Sequence, residues 1–171
     1  MTPALPGRSI QPGKLYLARS PMVLQTILGS CVSATFRHAK SGAGAMCHGV
    51  LPRCPAGADP AELHRYVDFS IRYLIRQFDS LGAIRAEVEV KLFGGADVLQ
   101  IPPSRTGKAT VGAMNCEVAL EVLKEEGFTV SASDLGGKVG RTIHFDTATG
   151  EVLVHRLNGP GSGNGPQRFA A

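Results

Sequence analysis

The sequence predicts an α/β fold of the α+β type, a layered sandwich in which a mixed sheet of about six or seven strands packs against two main helices. Residues 87–93 alternate strictly between polar and apolar side chains, which is the pattern of a β-strand. Residues 60–81 and 110–126 instead repeat apolar residues at spacings of three and four, as amphipathic helices do. Turn-rich segments at 37–44 and 146–150 predict hairpins, so the sheet is not purely parallel.

The chain has 171 residues, of which 43% are hydrophobic, enough for one domain with a core of its own. We assign a single domain to residues 14–157 and expect flexible, Gly/Pro-rich segments over 1–13 and 158–171. No apolar run reaches the roughly 18 residues that span a bilayer, and the N-terminus lacks the pattern of a signal peptide. Four cysteines without the spacing of a disulfide framework fit a reducing compartment, so we expect a cytoplasmic protein.

The formal net charge of +4 comes from basic residues that are scattered along the chain. They do not form a basic run with interleaved aromatic residues, so the charge indicates a solvated surface and does not favour nucleic-acid binding. An acidic protein partner is compatible with this charge.

The elements follow in order from local patterns. Residues 14–18 predict a short edge strand, and residues 21–28 lead into a turn at Gly29 and Ser30. Strand residues from 31 to 37 and from 45 to 51 flank the first turn-rich segment and predict a hairpin. After the strand over 87–93, further strands are predicted at residues 128–133, 141–145 and 151–156.

The first helix is predicted to begin at Pro60, because Asp59 is a suitable N-cap and proline is favoured in the first helical turn. Gly82 ends it. Its buried stripe comprises Leu63, Val67, Ile71, Leu74, Phe78 and Leu81. The second helix ends at Gly127, and its inward residues are Met114, Val118, Val122 and Leu123.

The most informative pair is Cys31 and His48, one on each strand of the first hairpin. Alternation places Val32 on the apolar side of its strand and Cys31 on the polar side, as in a half-buried strand. A turn centred near residues 39 and 40 would set Cys31 directly opposite His48, and a register shift of two residues would still leave them on one face.

A thiol beside an imidazole is the arrangement of a cysteine nucleophile and its base. His48 as an imidazolium partner would lower the pKa of Cys31, and Thr26 would orient the imidazole through a hydroxyl hydrogen bond. The backbone N–H groups around Gly29 and Ser30 would form an oxyanion hole. The same residues also fit an inert, half-buried cysteine beside a core histidine, and the spacing alone does not choose between the two.

A structural zinc site is a third alternative, with Cys31, Cys47, His48 and Cys54 as ligands. The spacing argues against it, because adjacent residues on a strand point to opposite faces and Cys47 would face away from His48. We therefore predict no metal site and no cofactor, and we interpret Cys116 as a core residue.

Six short motifs in register make the chain resemble the bacterial chemoreceptor glutamine deamidases, the CheD family. They are residues 28–32 (LGSCV), 48–52 (HGVLP), 66–68 (YVD), 91–96 (KLFGGA), 134–141 (DLGGKVGR) and 149–152 (TGEV). The resemblance covers roughly residues 14–157. It departs from the family at residues 111–115 (VGAMN), where a charged residue usually lies between the Gly and the Asn, and this bears on partner or substrate contacts.

The resemblance implies a cysteine-dependent protein-glutamine glutaminase that converts chemoreceptor glutamines to glutamate through a thioester, in bacterial chemotaxis. Cys31 carries over as nucleophile, His48 as base and Thr26 as third member, although the family motif often has this threonine where the chain has Gln25. Because the substrate lies on a long helical bundle, we expect a shallow groove at a strand end, lined by Phe93, Gly94 and Gly95.

The resemblance also implies chemoreceptor cytoplasmic helices as the protein substrate and a CheC-type phosphatase as a partner. A second hypothesis is a non-catalytic adaptor that binds receptor or phosphatase helices through the same surface.

Overall fold

A computed structural model describes residues 4–98, 109–157 and 165–170. These residues form two five-stranded sheets, two α-helices and two short 3-10 helices. The strands are β1 (Gly7–Ser9), β2 (Leu15–Ala18), β3 (Val23–Leu28), β4 (Val32–His38), β5 (Ala43–Cys47), β6 (Val88–Gly94), β7 (Val130–Leu135), β8 (Arg141–Asp146), β9 (Val152–Arg156) and β10 (Gln167–Phe169). The α-helices are α1 (Val67–Ser80) and α2 (Val111–Glu125), and the 3-10 helices are Pro60–Arg65 and Arg85–Glu87.

The α/β layering is as predicted, but the prediction of one sheet with six or seven strands is wrong. One sheet, which we call the inner sheet, has the strand order β2-β5-β4-β6-β7, and the other, the outer sheet, has the order β1-β3-β8-β9-β10. The two predicted hairpins, β4–β5 and β8–β9, fall in different sheets. Both sheets mix parallel with antiparallel pairs, since β1 runs parallel to β3 and β6 parallel to β7.

The inner sheet is buried on both faces, which makes a helix–sheet–sheet sandwich. One core lies between α1, α2 and the inner sheet and includes Val32, Phe36 and Phe78. A second core lies between the two sheets and includes Leu28, Phe93 and Phe145. The alternation predicted for β4 is therefore confirmed, but the expected half-burial is wrong because the outer sheet covers its polar side.

The helix predicted from residue 60 to 81 is divided at Tyr66, whose ψ of 130° is extended. Asp59 caps the 3-10 helix before this break by accepting a hydrogen bond from the Ala61 N–H at 2.9 Å. The break follows from pairing with the chain beyond His48, because Leu51 bridges Tyr66 and the Val67 N–H donates to the Leu51 carbonyl. None of the described helices has both the length and the apolar character that crossing a membrane would require.

The segments 1–13 and 158–171, for which flexibility is predicted, contribute one strand each to the outer sheet. β1 pairs with β3, and β10 pairs with β9 at the other end of the outer sheet. Lys91 holds the C-terminal strand in place. Its buried ammonium donates to the carbonyls of Gly150, Phe169 and Ala170 at 2.7, 3.2 and 2.7 Å. The Pro- and Gly-containing segment 101–107, which predicts a loop ahead of the second helix, lies outside the described residues.

Deleting residues 165–171 should lower the free energy of unfolding by on the order of 3 kcal/mol, because the buried Lys91 ammonium loses two carbonyl acceptors. In a Lys91→Met background the same deletion should cost clearly less, since it removes the pairing of β10 with β9 and the packing of Phe169 against Phe93 but no acceptor of a buried charge. Urea unfolding of the four proteins measures both costs. Equal costs in the two backgrounds would show that Lys91 does not hold the C-terminal strand.

Candidate active site

The hairpin register brings Cys31 and His48 to the same face of the inner sheet. Thr35 lies opposite Met46, and Val32 bridges Gly49 just beyond the regular strands. The prediction that Cys31 lies directly opposite His48 is therefore wrong. Cys31 lies opposite Val50, two residues further along, because the turn is centred one residue later than predicted. The pair is diagonal instead, a relation that places Cβ atoms about 7–8 Å apart.

The cysteines separate by face as the alternation predicts. Cys31 is half-buried and packs against the core between the sheets, whereas Cys47 is buried in the core on the helix side. Cys47 therefore faces away from His48, which confirms its interpretation as a packed residue. Within the described ranges, no three His, Cys, Asp or Glu side chains are grouped closely enough to hold a metal ion.

His48 is held by Thr26, which points inward from β3 of the outer sheet. The Thr26 Oγ1 lies 2.7 Å from the His48 Nδ1 and 2.7 Å from the Ile10 carbonyl oxygen. The carbonyl only accepts, so the single hydroxyl proton of Thr26 goes to Ile10. The imidazole must then donate from Nδ1 to Thr26, which fixes the proton of neutral His48 on Nδ1.

This tautomer leaves Nε2 of His48 as an unprotonated acceptor. The atom is buried and has no hydrogen-bond partner among the described residues. Buried acceptors are normally satisfied, so an orphaned imidazole nitrogen on the face that carries Cys31 fits a base that awaits the thiol proton. The neighbouring residue Gln25 points outward and is exposed, so alternation along β3 gives this contact to Thr26.

Burial keeps both members of the pair neutral in the free protein. It lowers the pKa of His48 to about 4, against the opposing effect of the Ile10 carbonyl. It also raises the pKa of the Cys31 thiol, and the backbone N–H of Cys31 opposes this rise. These directions do not favour the expected imidazolium that activates Cys31, since burial disfavours the charged form of each group.

The buried imidazole should make the protein sensitive to acid. An unfolded histidine takes up a proton below about pH 6.5 and the native His48 only below about 4, so stability falls across this window as the pH falls. The expected loss from His48 is about 3 kcal/mol. Urea unfolding at a series of pH values should show a loss that is larger by about this amount in wild type than in His48→Gln, because His64 and His144, whose pKa values burial also lowers, contribute to both proteins. Parallel pH profiles for the two proteins would contradict a buried neutral imidazole.

The turn before Cys31 presents free backbone donors. The N–H groups of Gly29, Ser30 and Cys31 have no acceptor within the part of the chain that the structure describes. The carbonyls of the same turn are bound, since the Ala96 N–H donates to Gly29 and the Gly95 N–H donates to Cys31, each at 2.8 Å. This arrangement is compatible with the predicted oxyanion site, because these N–H groups donate to no backbone carbonyl among the described residues.

The three residues predicted to line a groove have a different placement. Phe93 is fully buried between the sheets with its ring against Phe169, so its prediction as a groove residue is wrong. Gly94 has a φ of 110°, and a Cβ there would lie 2.2 Å from the Cys31 carbonyl oxygen. Gly94 and Gly95 therefore allow β6 to approach the Cys31 backbone closely, which is a supporting contact.

Sequence reasoning missed Asn115 as a residue of the site. It is fully buried on α2, and its Nδ2 donates to the Ser30 carbonyl at 2.9 Å and to the Val50 carbonyl at 3.1 Å. A signal was present, since Asn115 stands at helical spacing from Val118 and Val122 and is therefore a polar residue in the buried stripe. Of the predicted inward residues of α2, Met114 is only partly buried.

Comparisons with known proteins agree on one family. Residues 50–156 match a family model described as CheD chemotactic sensory transduction. The chain is 44% identical over 156 residues to the probable chemoreceptor glutamine deamidase CheD 2 of Geobacter sulfurreducens, covering 91% of this chain and 93% of that protein. It is 38% identical to the probable chemoreceptor glutamine deamidase CheD of Rhodospirillum rubrum, covering 92% and 86%.

The match to the Geobacter protein is long enough to include Cys31 and His48, which the family-model range does not reach. Among solved structures, a crystal structure of the hypothetical protein YfiH of Bacillus licheniformis is similar with a TM-score of 0.46 and 12% identity. That similarity covers 70% of this chain and 49% of the other, so this chain spans about half the length of that protein. A similarity this low does not bear on function.

Proposed function

We propose that this chain, which belongs to the CheD family, is a chemoreceptor glutamine deamidase that uses Cys31 as its nucleophile and His48 as its base. The observation that carries the assignment of roles is the Thr26 hydrogen bond, which leaves the His48 Nε2 free to accept a proton on the face of Cys31. Thr26 orients the imidazole, and the backbone N–H groups at Gly29, Ser30 and Cys31 receive the oxyanion.

In the first half-reaction, Nε2 removes the thiol proton while the Cys31 sulfur bonds to the carboxamide carbon of a receptor glutamine. The carbonyl oxygen becomes an oxyanion and accepts hydrogen bonds from the turn at Gly29 and Ser30. The imidazolium is stabilised through Nδ1 by the Thr26 oxygen. It then protonates the leaving nitrogen, the C–N bond breaks, and ammonia departs from a thioester on Cys31.

In the second half-reaction, water takes the place of ammonia. Nε2 accepts a proton from this water as its oxygen attacks the thioester carbon, and the C–S bond then breaks. The proton returns to the Cys31 sulfur, and the product is a glutamate side chain. Because His48 and Cys31 both begin neutral, the pair ends each turnover in its starting protonation state.

A protein-borne glutamine suits the position of Cys31 better than a small molecule. Cys31 is half-buried between the end of β3 and the start of β4. A side chain that projects from a helical surface can reach such a position. We propose chemoreceptor cytoplasmic helices as the substrate, and the family resemblance further supports a cytoplasmic location and a CheC-type phosphatase partner.

The test is deamidation of a chemoreceptor cytoplasmic fragment by the purified protein. We expect ammonia release together with a mass gain of about one dalton on specific glutamine-containing peptides, because a carboxylate replaces a carboxamide. A fragment in which those glutamines are replaced by asparagine is the control and should gain no mass. Tight binding of receptor fragments without ammonia release from any of them would overturn the deamidase assignment.

A further inference from the structure

We propose that Asn115 is a positioning residue that sets the geometry of Cys31 relative to His48; this inference rests on the function proposed above. Its carboxamide connects the turn before the nucleophile with the chain just after the base. The two N–H donors of the one amide bind the Ser30 carbonyl and the Val50 carbonyl. Ser30 immediately precedes Cys31, and Val50 is two residues beyond His48.

The bridge lies where backbone pairing of the hairpin stops. The last ladder hydrogen bonds join Val32 and Gly49, at 3.0 and 2.8 Å in the two directions. Beyond that point two carbonyl oxygens, of Ser30 and Val50, approach the same place, and neither can donate to the other. The Asn115 amide supplies both missing protons, so it continues the connection between the strands at the level of Cys31.

The helix that carries Asn115 is itself fixed to the site. A Cβ on Gly112, one turn earlier on α2, would lie 2.6 Å from the Gly95 carbonyl oxygen, so the helix and the Gly95 backbone are in close contact. Gly95 in turn donates to the Cys31 carbonyl. Asn115 is therefore presented from a helix that is in close contact with Gly95, the residue that binds the Cys31 backbone, so the helix is tied to the nucleophile by a second route.

Only asparagine meets these requirements at this distance. Two N–H donors on one nitrogen must point at two different carbonyls. Water cannot replace either donor, since Asn115 is 0% exposed. A serine has one donor, and an ionised aspartate has none. Asn115→Asp keeps the shape of the side chain and so tests the donors with little change in packing.

The experiment compares wild type, Asn115→Asp, Asn115→Ser and the control Ser70→Ala. Ser70 is also fully buried, and its hydroxyl donates to the His64 carbonyl at 2.8 Å from α1, so its loss removes a buried hydrogen bond outside the catalytic pair. We expect kcat for deamidation to fall roughly 100-fold in the Asn115 variants with KM changed less than about threefold, because a misplaced nucleophile affects the transition state more than binding. Ser70→Ala should keep the wild-type kcat.

Alkylation of Cys31 by iodoacetamide, followed by peptide mass spectrometry, gives a second readout that needs no receptor. Its rate should fall about tenfold in the Asn115 variants, because the turn that carries the thiol is no longer held in the position from which His48 could take its proton. If wild type deamidates no receptor fragment and the variants still slow alkylation, the proposed function fails and the positioning role stands. If wild type deamidates and the Asn115 variants keep kcat and the alkylation rate within twofold, the positioning role is overturned.

A measurement on the wild-type protein covers the case in which the variants do not fold. The two side-chain amide protons of Asn115 should exchange with solvent far more slowly than those of an exposed asparagine, and their NMR signals should shift when Cys31 is alkylated. Exchange at the rate of an exposed side chain, or signals that do not respond to alkylation, would contradict the proposal.

Discussion

Replacing Cys31 with alanine should lower the rate of glutamine deamidation by on the order of 10⁴-fold or more, because the side chain that forms the thioester is gone. The fold should remain, since Cys31 is only half-buried and the backbone hydrogen bond from Gly95 to its carbonyl does not involve the thiol. Ammonia release from a receptor fragment measures the rate, and thermal unfolding checks that the variant is folded.

Cys54→Ala is the matched control for this substitution. Cys54 is another half-buried cysteine, and it lies in the loop before the first 3-10 helix. Among the described residues, its thiol forms a hydrogen bond only with the Pro55 carbonyl. This variant should deamidate at the wild-type rate. Retention of activity in Cys31→Ala, or an equal loss in Cys54→Ala, would remove Cys31 from the nucleophile role.

Thr26→Val should reduce kcat roughly 100-fold to 1,000-fold while the imidazole remains in place. Valine has nearly the shape of threonine and no hydroxyl, so Nδ1 of His48 and the Ile10 carbonyl both lose their partner. The imidazole is then free to carry its proton on Nε2, where it cannot act as a base. The two unpaired buried groups should also lower the free energy of unfolding by about 1–3 kcal/mol.

Thr26→Ser distinguishes the hydroxyl from the packing. Serine restores both hydrogen bonds and lacks only a methyl group, so its kcat should lie within a few-fold of wild type. Steady-state kinetics on all three proteins gives the comparison. If valine and serine reduce kcat equally, the methyl packing of Thr26 matters and its hydroxyl does not orient His48.

The sequence allowed the layers and most elements to be predicted, but not the division into two sheets. Periodicity reports which side chains share a face, and it cannot report what covers that face. The alternation in β4 predicts that its polar side faces solvent, yet Ser33 and Thr35 are buried against the outer sheet. Lys91 belongs to the scattered basic residues attributed to a solvated surface, but it is buried, and its ammonium is bound by the Glu89 carboxylate and by carbonyls far along the chain.

Cys31 and His48 could be singled out because a hairpin is local and its register is nearly fixed by the turn. Their protonation states could not, because the burial that neutralises both residues comes from the outer sheet. Asn115 and the true place of Phe93 were missed for a related reason. Both depend on which sequence-distant element packs against each helix or strand, and no short motif contains that information.

The most direct test of the account is to quench the reaction of wild type with a receptor fragment in acid and search for the covalent intermediate. We predict a thioester that joins a receptor glutamine residue to Cys31, found by mass spectrometry at that cysteine and at none of the other three, and absent from Cys31→Ala. Steady deamidation without any adduct on Cys31, or an adduct on Cys47, Cys54 or Cys116, would contradict it.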